Sequence, residues 1–135
     1  MKIASLIARL LVGLVFVVFG LNGFFNFFHM PMPPSGTPIG DWSIIMYTTG
    51  WLKVISGFEV IGGLLVLIGA VPLGLCILCP IIVNILCFHL LMPGGMDKGA
   101  IFPGVGCAAL AFALLIGYRN AFMGVFNFKA QPVIG

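Results

Sequence analysis

Four long apolar stretches separated by short polar or proline-bearing segments set the pattern of this chain. They run over residues 3–28, 51–71, 72–92 and 100–118, and each reaches the roughly 20 residues a helix needs to cross about 30 Å of hydrocarbon. The second and third are nearly continuous. Gly69-Ala70-Val71-Pro72 predicts the break between them, because proline disfavours helix in the residue before it. So short a turn makes these two helices antiparallel neighbours. The connection over residues 29–50 is long, and its first part, through Asp41, carries four prolines and predicts no helix. Residues 42–49 predict a short interfacial helix or a lead-in to the second span, since Trp42, Tyr47 and Trp51 are of the types that settle at headgroup depth. Pro80 and Pro103 fall inside spans and predict kinks, not breaks, because neighbouring helices can satisfy the freed carbonyls.

Composition turns these stretches into membrane spans. Of 135 residues, 61% are hydrophobic and 7% charged, with a mean hydropathy of +1.26, whereas soluble domains carry about 25% charged residues. The net charge of +3 is scattered, and neither a basic run nor a glycine-rich phosphate loop is present, so a nucleic-acid partner is excluded. Lys2 followed by an apolar run superficially resembles a signal peptide. The run is too long and lacks a small-residue cleavage site, which predicts an uncleaved first helix. Lys2, Arg9, Arg119 and Lys129 flank the outer two spans, while the longer connections hold only Lys98 as a clear loop base. By the positive-inside bias, both termini are expected in the cytoplasm, as for a protein of a bacterial inner membrane. The expected fold is an all-α membrane protein: one domain over residues 1–135, a four-transmembrane-helix bundle running antiparallel, up and down.

The chemistry lies in the few polar residues of these spans. At about 1.5 Å per helical residue, Asn22, Glu59 and Asn84 fall about 9–13 Å below the outer boundary, and Lys53, Asn26 and His89 within about 5 Å of it. The inner half holds almost nothing polar except Arg9. This uneven depth predicts an outward-opening crevice lined by Asn22, Lys53, Glu59, Asn84 and His89. An ionisable group in hydrocarbon costs several kcal/mol, roughly 2.5–3.5 for the basic residues and Asp, so Glu59 calls for a partner. Two readings stand open: structural glue hydrogen-bonded to Asn22 or Asn84, or a ligand-binding or proton-handling group. Lys53 lies six positions before Glu59, about 120° round a helix, and is badly placed to pair with it; it either snorkels or lines the pocket. His29 and His89 lack a second ligand at helical spacing, so neither a metal nor a haem is expected. Cys76-Ile-Leu-Cys79 has the spacing of a thiol redox pair, but no basic neighbour would stabilise a thiolate and inert packing is expected. Phe24, Phe25, Phe27 and Phe28 would wall the outer end of the first span.

Phe19-Gly20-Leu-Asn22-Gly23-Phe24, then Met32-Pro33-Pro34, Lys53-Val54, Glu59-Val-Ile-Gly62-Gly63-Leu64-Leu65, and Pro80-Ile-Ile-Val-Asn84 with Phe88-His89 together resemble the DoxX family of small membrane proteins over nearly the whole chain. The resemblance implies a four-helix membrane bundle linked to membrane redox systems, the family being named for a component associated with a terminal quinol oxidase. Asn22, Lys53, Glu59, Asn84 and His89 match the polar positions of that pattern, to which the family attaches no agreed catalytic role. The expected function is a non-enzymatic module holding a small amphipathic ligand, a quinone or a lipid, and serving a membrane redox partner, in membrane lipid and with self-association open. Transport of protons or small solutes through Glu59, and a thiol or quinone oxidoreductase, are the alternatives.

Overall fold

The computed structural model describes residues 2–29, 32–93 and 98–123. They form six helices, and no strand occurs among the described residues: α1 (Lys2–Phe25), α2 (Pro38–Thr48), α3 (Trp51–Ile68), α4 (Val71–Leu91), α5 (Lys98–Gly117) and α6 (Arg119–Phe122). Three of them, over Ile3–Phe25, Trp51–Ile68 and Val71–Leu91, are long and apolar enough to cross a membrane. The chain is therefore an integral membrane protein by length and composition. α5 has 20 residues, of which the stretch Val105–Gly117 is apolar.

Helix ends follow local chemistry and correct two expectations. α1 stops at Phe25, short of residue 28, because Asn26 turns into the left-handed region (φ 49°) and the Asn22 side-chain carbonyl then accepts the Phe28 N–H at 2.9 Å. α2 begins at Pro38, inside the segment whose prolines predicted no helix. Pro38 occupies the first turn, where a missing N–H costs nothing, and Thr37 caps it by accepting the Gly40 N–H at 3.1 Å. Asp41, in that first turn, accepts the Gly36 N–H at 2.9 Å. The expected break between α3 and α4 falls at Gly69 and Ala70, where Gly69 takes φ 101° and ends α3. α4 continues through Pro80 without a break.

Glycines set how closely the helices approach. α3 carries Gly62 and Gly63 side by side, and they serve two different neighbours. A Cβ on Gly63 would lie 2.9 Å from the Gly13 carbonyl oxygen and 3.0 Å from the Val17 nitrogen, both on α1. A Cβ on Gly62 would lie 2.7 Å from Leu78 on α4. Going up α1 from Gly13 to Gly20 and Gly23, the partners on α3 fall from Gly63 to Val60 and Ser56, so the two helices are antiparallel. Gly62 against Leu78 and Val66 against Gly74 show the same for α3 and α4. α5 closes the ring by packing on both α4 and α1. The core, with Val12 and Phe16 from α1, Val66 from α3, Leu75 and Leu78 from α4 and Leu114 from α5, fills the half of the bundle nearer the start of α1. The outer surface is a belt of exposed Leu, Ile, Val and Phe, as suits helices bathed in lipid.

Candidate functional site

The other half of the bundle, where α1 ends and α3 begins, holds the polar residues the sequence singled out. Asn22 is 7% exposed, and its oxygen holds the Phe28 N–H, folding the chain back so that Phe28 stacks edge-on against Phe19 at 5.4 Å between centroids. Phe27 meets Phe28 in the same manner, while Phe24 and Phe25 point outward. Asn22 thus shapes the aromatic end of α1. Ser56, 1% exposed, lies opposite Gly23, where a Cβ would collide with its hydroxyl. The local use of Asn22 was not read from the sequence.

Glu59 lies half-buried midway along α3, and its Cβ is 3.0 Å from the position a Cβ on Gly20 would occupy. No hydrogen bond or ion pair joins Asn22, Lys53, Glu59 and Asn84 to one another. This corrects the glue reading: the Asn22 oxygen is occupied locally, and Asn84 is exposed on the outer side of α4. Lys53 is exposed near the start of α3, as its 120° offset from Glu59 predicted, and pairs with no acid. His89 is half-buried in the last turn of α4, its ring edge-on to Phe88 at 5.5 Å. His29, beyond the end of α1, is exposed. The five expected lining residues therefore share one half of the bundle without forming a bonded cluster. Chemically, Glu59 offers a half-buried carboxyl whose stem packs directly against Gly20 of α1.

All four cysteines are free thiols: Cys76 and Cys87 exposed on α4, Cys79 half-buried and Cys107 in the core. Among the described residues no group of three metal-ligating side chains occurs.

A second feature lies at the opposite end. The first turns of α1 and the last of α5 diverge around a cleft of about 700 Å³, lined by Ala4, Ser5, Ala8, Arg9, Ala113 and Tyr118 among others. Arg9 is half-buried there, and its Nε is fully buried with no hydrogen-bond partner. The sequence marked Arg9 as a base counted toward topology and as the lone polar residue of the inner half, but gave no sign of a cleft around it. Compared with family models, with curated proteins and with solved structures, the chain matches none.

Proposed function

We propose that the chain is a four-span membrane module of DoxX type, both termini cytoplasmic in a bacterial inner membrane, that holds a quinone or lipid at Glu59 and serves a membrane redox partner. The observation that carries this reading is Glu59 itself: an ionisable side chain half-buried in a helix long and apolar enough to cross a membrane, with no hydrogen bond or ion pair from the described residues. A carboxyl so placed is costly unless something else meets its polar atoms. Lys53 and His89 supply donors nearer the same end of the bundle. A planar headgroup with two carbonyls suits such donors, and the phenylalanines held by Asn22 supply apolar cover.

The test is the ligand retained through mild purification, identified by mass spectrometry, in Glu59→Gln and Glu59→Leu. Gln preserves shape while removing the charge, so the protein is expected to fold with wild-type melting temperature and to lose most of its ligand. Leu is expected to lose the ligand as well and, with no protein hydrogen bond to sacrifice, to fold at least as stably. Wild-type ligand content in Glu59→Gln would overturn the reading.

A further inference from the structure

The cleft between the start of α1 and the end of α5 lies at the opposite end of the bundle from Glu59 and has its own chemistry. Its walls are mainly apolar, from Ala4, Leu6, Ala8, Ala113 and Ile116, and its volume of about 700 Å³ is within the roughly 300–1,000 Å³ of small-molecule sites. Set into these walls is one cation. The Arg9 Nε is sealed from solvent, and neither it nor the rest of the guanidinium meets an acceptor among the described residues. One of its terminal nitrogens lies beside Gly69, 3.4 Å from where a Cβ would stand, so the charge sits level with the α3–α4 turn. That is the depth at which a bilayer changes from hydrocarbon to headgroup for α3 and α4.

Beside the cleft stands a further base, Arg119, which follows Tyr118 directly. The chain has three acids, Asp41, Glu59 and Asp97. Asp41 lies in α2 and Glu59 midway along α3, both away from this end, and among the described residues no acid pairs with Arg9. A guanidinium presents a planar fork of donors that matches a phosphate bidentately, and the apolar walls suit an acyl chain more than a free ion. Basic pockets between spanning helices are a recurrent way of holding anionic headgroups.

We infer that this cleft is a binding site for one anionic phospholipid, its phosphate on Arg9 and an acyl chain along the α1–α5 groove. The site is independent of whatever Glu59 holds. A zwitterionic lipid brings a phosphate too, but its ammonium would come beside the like charge of Arg119.

Native mass spectrometry of the full chain, released from vesicles of equal phosphatidylglycerol and phosphatidylcholine, tests the assignment. Wild type is expected to retain one phosphatidylglycerol in preference to phosphatidylcholine. Arg9→Gln is expected to lower that retention about tenfold, to the phosphatidylcholine level, and Arg9→Lys to restore it in part. Ala113→Trp fills the cleft while leaving Arg9 in place, and is expected to abolish retention; it decides the matter should Arg9→Gln fold poorly. Glu59→Gln is expected to keep the phosphatidylglycerol, which separates this site from the proposed function. Equal retention of both lipids by wild type, or undiminished phosphatidylglycerol in Arg9→Gln or Ala113→Trp, would overturn the inference. Displacement of the lipid by millimolar inorganic phosphate would also overturn it, by making the site one for a free anion.

Discussion

α1 forms two seams, and they are built on opposite terms. Against α3 it presents Gly13 to Leu67 and Gly63, Gly20 to Ser56 and Val60, and Gly23 to Ser56, and the helices close until no Cβ would fit. Against α5 it presents Ala4, Ser5 and Ala8, which are also small, yet here the helices part around a cleft. Small residues permit close approach but do not enforce it. In the first seam Gly13 meets Gly63 backbone to backbone; in the second Arg9 lines the cleft, and a guanidinium whose buried Nε has no acceptor resists being closed in by apolar side chains.

Substitutions that enlarge a residue on each seam should separate the two. Gly63→Leu drives a side chain into the Gly13 carbonyl and the Val17 nitrogen, which are backbone and cannot swing aside. A loss of about 3 kcal/mol or more is expected, measured by denaturant titration in bicelles; a loss below about 1 kcal/mol would mean that the seam gives way easily and is not close-packed. Asn22→Ala removes the acceptor of the Phe28 N–H at the top of the same seam. It should cost about 1–2 kcal/mol and free the Phe19–Phe28 contact, seen as altered aromatic circular dichroism. Ala113→Leu, on the cleft side, should change stability by no more than about 0.5 kcal/mol, because added methylenes enter open space. Were Ala113→Leu as damaging as Gly63→Leu, the contrast between the seams would vanish.

What the sequence made legible was what depends on neighbours along the chain. The break between α3 and α4 was readable because glycine and proline act within a few residues, and it lies where Gly69 takes its left-handed turn. The end of α1 was placed too late because Phe27 and Phe28 continue the apolar run, while the turn depends on the conformation of Asn26 and the reach of Asn22. The start of α2 was missed for the opposite reason: Pro38 reads as a breaker, although after Thr37 it is a good first residue. Facing was hardest. In helices apolar on every side, hydrophobic period says little about which side is inside, so the exposure of Asn84 and the cleft at Arg9 stayed hidden.

The connection of α3 to α4 by Gly69 and Ala70 alone also bears on how the protein is made. Two residues provide no slack for α4 to pass the bilayer after α3 has settled there, so the two helices must enter lipid together as a hairpin. Taken singly, α3 is a poor candidate for insertion, since Lys53 and Glu59 oppose the transfer of its apolar residues. α4 has no acid and no lysine or arginine, and it packs on α3 through Gly62 and Gly74. Its favourable transfer is thus available to carry its partner in. A nascent chain stopped after Ile68 should integrate α3 less efficiently than one stopped after Leu91, as glycosylation mapping would register; the short turn makes α4 a chaperone for the helix that bears the charge.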